Sequence, residues 1–136
     1  MSEVAPTGLR LAVSVVVFQS GRFLLVERAK NPGRGMHAFP GGKVEKGETL
    51  EAAARRELLE ETGLAAGALR ALRQVTIHGA HGGFLLHVFQ ADGVTGVMAA
   101  ADDALTADWY SLADMEALAV PQSVRDVALM VAGSGS

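Results

Sequence analysis

The sequence predicts an α+β (mixed α/β) domain. Three observations carry this reading: a dense apolar and β-branched run over 9–18 with further strand-like segments after it, one strongly helical stretch over 49–62, and one or two helical stretches beyond residue 111. With 136 residues the chain fits one domain, on a scale of about 100–200 residues per domain. No linker or long repeat divides it, so 1–136 is read as a single unit.

Residues 9–18 are apolar on both phases, which predicts a strand buried on both faces. Gln19, Ser20, Gly21 and Arg22 signal a turn, and 23–28 returns as the second strand of a hairpin. Residues 31–35 read as a loop, and a short extended piece over 37–39 runs into Pro40, Gly41 and Gly42. The helix over 49–62 is filled by strong helix formers. Thr49 is suited to cap its start and Gly63 to end it in a left-handed conformation. Strands are expected over 72–77, 84–90 and 106–110, with a short edge strand over 94–98. Ser111 suits the cap of a short helix over 112–118. Pro121 opens a last helix to about residue 131, with Val124, Val127, Ala128 and Val131 on one face. The tail, 132–136, is expected to be flexible.

Composition narrows the function classes. The net charge is −3, where a sequence-independent nucleic-acid binder needs a positive surplus, so no nucleic acid is expected. No apolar run approaches the roughly 20 residues that cross a bilayer, and the start shows no secretory signal. No membrane role and a cytoplasmic location are therefore expected. The absence of cysteine removes disulfides, thiolate zinc sites and cysteine nucleophiles.

The chemistry concentrates in 42–64. On a helix advancing about 100° per residue, Glu57, Glu60 and Glu61 fall within one arc of about 100°. Like charges at these spacings destabilise an isolated helix, and Arg56 can relieve one of them but hardly all three. A hard divalent cation, Mg²⁺ or Mn²⁺, is the natural neutraliser for oxygen ligands. A solvated helix face is the competing explanation for the acids taken alone. Against it stand the glycine-rich loop that enters the helix, whose Gly41 and Gly42 let backbone atoms approach a ligand closely, and the apolar stripe of Leu50, Ala54 and Leu58, which would anchor it and leave the acids at a rim. Glu51 and Arg55 are expected to form an ordinary i,i+4 pair.

Gly42, Glu48, Arg56, Glu57, Leu58, Glu60, Glu61, Gly63 and Leu64 fill all nine defined places of a 23-residue pattern. That pattern resembles the signature of the Nudix (MutT-like) hydrolases, and the flanking strands and the Trp109-Tyr110-Ser111-Leu112 segment resemble the family too. The resemblance implies a Nudix fold, an α/β/α sandwich with a mixed β-sheet. It also implies a metal-dependent pyrophosphohydrolase that cleaves nucleoside diphosphate-linked compounds, with Mg²⁺ (or Mn²⁺) as cofactor and a small-molecule nucleotide as substrate. A homodimer is open.

By the same resemblance, Glu60 and Glu61 are metal ligands, Glu57 is a third ligand or the base that activates water, and the Gly42 carbonyl is a further ligand. Arg56 orients the glutamates and Glu48 steadies loop and helix. Arg28 and Lys43 are candidates for substrate contact. Asp103, with Asp102 beside it, is a candidate late-loop acid. His37 and Phe39 are candidates for a base pocket, with core packing the alternative for Phe39. His78, His81, His87 and Trp109 are read as structural.

Some relatives that hydrolyse nucleoside triphosphates carry a tryptophan just before the Phe-Pro-Gly-Gly segment, where this chain has Met36, His37 and Ala38. The opening strands resemble short bacterial ADP-ribose pyrophosphatase-like members. ADP-ribose or nucleotide-sugar substrates therefore rank first and nucleoside triphosphates second. A non-catalytic nucleotide-sensing domain is the remaining alternative. Such domains usually lose signature acids, and this sequence keeps them all.

Overall fold

Alternation along the first strand sets the architecture. In the computed structural model, which describes residues 8–29, 34–79, 82–99 and 104–133, β1 (Arg10–Val16) sends Val13 and Val15 into one buried cluster and Val16 into another. β2 (Phe18–Gln19) and β3 (Arg22–Arg28) form the expected hairpin around Ser20 and Gly21, both at positive φ, the turn whose twist matches paired strands. Along β3, Phe23 and Leu25 face one cluster and Leu24 the other. β4 (His37–Ala38) pairs with β3, and β5 (Gly41–Lys43) lies antiparallel to β1.

α1 (Leu50–Thr62) begins at Thr49, whose side chain accepts from the Ala52 N–H, and ends at Gly63 in the left-handed region at φ 77°. Its Ala53, Ala54 and Leu58 are buried against Val13, Val15 and Phe89. Burying Leu58 alone stabilises by about 2 kcal/mol.

β6 (Leu64–Ala65) pairs with β9 (Thr95–Gly96). β7 (Ala68–Gly79) and β8 (Gly82–Asp92) are paired antiparallel, and β8 runs parallel to β1. The resulting mixed sheet has the order β5-β1-β8-β7. β10 (Ala104–Tyr110) joins β3 in a second sheet, followed by α2 (Leu112–Glu116) and α3 (Gln122–Gly133). α2 has a full capping box between Ser111 and Asp114. α3 buries Val124, Val127, Ala128 and Val131 in the cluster of Val16, Phe23 and Val88. α1 and α3 thus cover opposite faces, which is the expected sandwich around a mixed sheet.

Several expectations need correction. Gly41–Lys43 is a strand, not a loop, because the pairing with β1 overrides weak local propensity. β7 is longer than 72–77. A register shift between Ala71 and Arg73 interrupts its alternation and hid the first half. The edge strand read over 94–98 shrinks to Thr95–Gly96. The short helix stops at Glu116, two residues early. α3 runs through Ala132 and Gly133, so that part of 132–136 is helical rather than a flexible tail. Residues 31–33, His81, Asp102, Asp103 and 134–136 lie outside the described residues. Among the described residues, no helix is long and apolar enough to cross a membrane.

Candidate functional site

The site is built where α1 lies against β5. Strand alternation points Gly42 at the helix, and the Glu57 carboxylate packs directly on it: a Cβ at Gly42 would lie 2.7 Å from Glu57 Oε2. One residue earlier, the Gly41 N–H donates to Glu61 Oε2 at 2.7 Å. Glycine is required at 41 for a different reason, since a Cβ there would meet the Val13 carbonyl of β1. Two carboxylates from one helix therefore bracket consecutive residues of one strand.

Arg56 gathers the other acids. Its Nε and Nη2 reach Glu48 Oε2 and Oε1 at 2.7 and 3.0 Å, a fork-to-fork pair. Its Nη1 donates to Glu57 Oε1 at 2.7 Å and lies 3.5 Å from both Glu60 oxygens. Glu45 Oε1 is 3.6 Å from the same nitrogen, and Nη2 also donates to the Lys43 carbonyl at 3.0 Å. Four glutamates share one guanidinium. The Glu48 contacts match the steadying expected of it, and its own carboxylate accepts from the Glu45 N–H at 3.0 Å. Glu45 was not singled out in the sequence. Its position four residues after Gly41, on the turn that leads to Glu48, was the available signal.

The electrostatics separate the acids. The Arg56 hydrogen bond holds Glu48 below the usual carboxylate range, against the effect of burial. Glu57 goes the other way: burial pushes it up, and the Arg56 bond only partly compensates, while Glu60 and Glu48 add repulsion. Glu61 is buried, whereas the Glu60 side chain is 44% exposed at the rim.

The donor set fits a hard cation. It is all oxygen, it carries more negative charge than Arg56 offsets, and the missing side chain at Gly42 lets a carboxylate reach the strand. Among the described residues, however, no three His, Asp or Glu side chains stand as a ready metal cage. Arg56 and the Gly41 amide engage the carboxylates in this arrangement, and a cation competes with those bonds.

The remaining candidates are distributed unevenly. Arg28 ends β3 on the same phase as Leu24, which packs toward α1. Lys43 follows Gly42 in the strand and faces the other way, with Nζ 5.9 Å from the Phe84 ring centroid. Asp103 lies outside the described residues. Phe39 is core. His37 stands edge-on to Tyr110 at 5.4 Å, with Nδ1 buried and unpartnered among the described residues. Burial holds His87 below the ordinary histidine value, in keeping with a structural role. Arg55 donates to the Ala66 and Gly67 carbonyls at 2.7 and 3.2 Å, in place of the expected pair with Glu51.

Comparison with known proteins adds a second line. The NUDIX domain family matches residues 8–129. The chain is 36% identical over 111 residues to an ADP-ribose pyrophosphatase of Methanocaldococcus jannaschii, covering 80% of this chain and 66% of that protein. It is 37% identical over 105 residues to an oxidized purine nucleoside triphosphate hydrolase of Danio rerio, covering 76% and 67%. The chain thus spans about two-thirds of the length of these relatives. Its fold is similar to the crystal structure of a MutT NUDIX hydrolase from Burkholderia pseudomallei, with a TM-score of 0.81, 27% identity, and coverage of 89% and 95%.

Proposed function

The chain belongs to the NUDIX family of hydrolases, and from that membership we propose that it is a divalent-cation-dependent hydrolase of nucleoside diphosphate-linked compounds, of the ADP-ribose or nucleotide-sugar type. The observation that carries the reading is the gathering of Glu45, Glu48, Glu57 and Glu60 on Arg56, with Glu57 and Glu61 bracketing Gly41 and Gly42.

A phosphoanhydride repels an incoming nucleophile and must shed negative charge onto its leaving oxygen. Glu60 and Glu61, with Glu57 and the Gly42 carbonyl, are the residues that would hold Mg²⁺ or Mn²⁺. When bound, such an ion neutralises phosphate charge and acidifies water. The protein's own work is positioning. Arg56 fixes the rotamer of Glu57, and Glu48 fixes Arg56. Arg28, at the end of β3, supplies a cation for a phosphate. Glu57, the acid whose proton affinity burial raises, is the residue suited to accept a proton from water.

Nucleoside triphosphate hydrolysis is the second reading, favoured by the name of the Danio rerio relative. A sensor without turnover is disfavoured because every signature acid is retained. The test is a panel of ADP-ribose, nucleotide sugars and nucleoside triphosphates with Mg²⁺, Mn²⁺ or chelator, with products identified by mass. Nucleoside monophosphate plus a phosphorylated second half supports the first reading. Pyrophosphate release from triphosphates alone supports the second, and tight binding without products supports a sensor.

A further inference from the structure

β7 is an edge strand. In the order β5-β1-β8-β7 it pairs, among the described residues, with β8 alone. It is 12 residues long, whereas protein sheets commonly keep such edges short or guard them with lysine or proline. β7 contains neither. Its two arginines are engaged within the chain: Arg70 Nε donates to Asp92 Oδ2 at 3.2 Å, and Arg73 Nη2 lies 3.4 Å from Met130 Sδ. Gln74, Thr76, Ile77 and His78 are exposed. A register shift between Ala71 and Arg73 interrupts the strand, and the pairing with β8 is regular over 73–79.

We infer that this edge pairs with itself. Two copies of the chain join β7 to β7 antiparallel, about a twofold axis through Thr76, and their sheets become one. The register follows from the geometry of the ladder. In an antiparallel pair only alternate residues turn N–H and C=O outward, and these must meet outward-turned residues of the other strand. A twofold axis therefore passes through a residue rather than between two. An axis through Arg73 sets like charges against each other. Axes through Gln74 or Val75 run the ladder into the register shift, and one through Ile77 shortens it. An axis through Thr76 uses the whole regular stretch, 73–79, and stops at the shift.

In that register the side chains suit one another. Thr76 meets Thr76 of the second copy, a favourable pair, and Gln74 meets His78. Partly buried Val75 meets Ile77, which is 40% exposed in the single chain. Arg73 faces Gly79, and the two Arg73 residues stand about 20 Å apart along the strands. The opposite edge is a poor mate for β7. β5 spans only Gly41–Lys43, and a β7-to-β5 contact would be head-to-tail, leaving an edge free at each end, whereas self-pairing closes with two copies. β5 is also the strand that holds Gly42 against Glu57. It lies at the far end of each sheet. With strands about 4.8 Å apart, the two acid clusters are separated by roughly 30 Å. Each stays open in the dimer, and turnover is independent of pairing.

Sedimentation equilibrium of the wild-type protein and of Thr76→Lys, Thr76→Glu and their equimolar mixture tests this, with melting curves to show that each variant folds. Wild type should dimerise. Each charged variant should weaken dimerisation about tenfold or more, because like charges meet on the axis, and the mixture should dimerise again. The chain has no cysteine, so Thr76→Cys and Gln74→Cys each give one thiol per copy. Directly opposed residues place their Cα atoms about 4.5–5.5 Å apart, within disulfide reach. With oxidised glutathione as oxidant, Thr76→Cys should form cross-linked dimers. Gln74→Cys, about 13 Å from its own counterpart, should not. If a charged variant fails to fold, the wild-type measurement and the cysteine pair still decide. A wild type that stays monomeric at its highest soluble concentration would overturn the pairing. So would a dimer that Thr76→Lys leaves intact, a mixture that stays apart, or cross-linking through Gln74→Cys instead of Thr76→Cys.

Discussion

The Glu57 carboxylate fills the space where a side chain at Gly42 would begin, with Oε2 2.7 Å from that Cβ position. Gly42→Ala must therefore push the carboxylate away from the strand. A misplacement of about 1 Å costs about 100-fold in rate. The expected outcome is a fall in kcat/KM of that order, with a melting temperature close to wild type. Steady-state kinetics with a melting curve on the same preparation checks both halves.

Glu57 also ties activity to stability. Its folded-state pKa lies above the ordinary 4.5, chiefly through burial. Its favourable contribution is thus present below that value and is lost as pH rises through the folded-state pKa. In chelator-treated protein near neutral pH (about 7, a usual working value), Glu57→Gln should melt above wild type while hydrolysing poorly. The advantage should vanish in acid. A melting-temperature series against pH for both proteins would show this, and equal curves would contradict the burial argument.

Glu48 has the opposite sign. Its pKa lies below 4.5 because Arg56 bonds its ionised form. Its stabilisation is present above 4.5 and is lost as pH falls through the lower folded-state value. Removing a charge-assisted, fork-to-fork partner costs about 2 kcal/mol. Glu48→Ala should lose that much in urea denaturation near pH 7 (about the neutral point) and little in strong acid. Activity should drop as well, since Arg56 then loses the partner that holds it against Glu57.

How far the sequence disclosed the molecule depends on whether the determinant was local. α1 was legible from end to end because Thr49 and Gly63 are local signals for its two caps. The acids were legible because their spacing alone puts them on one arc. The β5 strand was not. Two glycines read as a loop, and only the close approach of the β1 backbone explains them as a strand. That strand decides that Lys43 faces away from the acids. Arg55 shows the same limit: Glu51 stands one helical turn away, but the Ala66 and Gly67 carbonyls come from a distant turn and win the guanidinium. The first half of β7 was obscured by its register shift.

Gly63 ends α1 two residues after the acid pair Glu60 and Glu61. Its φ is 77°, and a Cβ there would lie 2.7 Å from the Val97 carbonyl oxygen. Left-handed strain and that contact together should cost Gly63→Ala about 2–3 kcal/mol. Chemical denaturation measures the loss. Because the last helical turn carries Glu60 and Glu61, the variant should also lose turnover under conditions where it remains folded.

Glu60 gives the most direct test of the claim that these acids hold a divalent ion against a phosphoanhydride. On whichever diphosphate compound the wild type cleaves, the rate should rise with Mg²⁺ or Mn²⁺ to a plateau and disappear with chelator. Glu60→Gln, half-exposed and outside the core, should keep the wild-type melting temperature and lose about 100-fold or more at every metal concentration. A wild type that cleaves without metal, or a Glu60→Gln protein with the same metal dependence and turnover as wild type, would contradict the account.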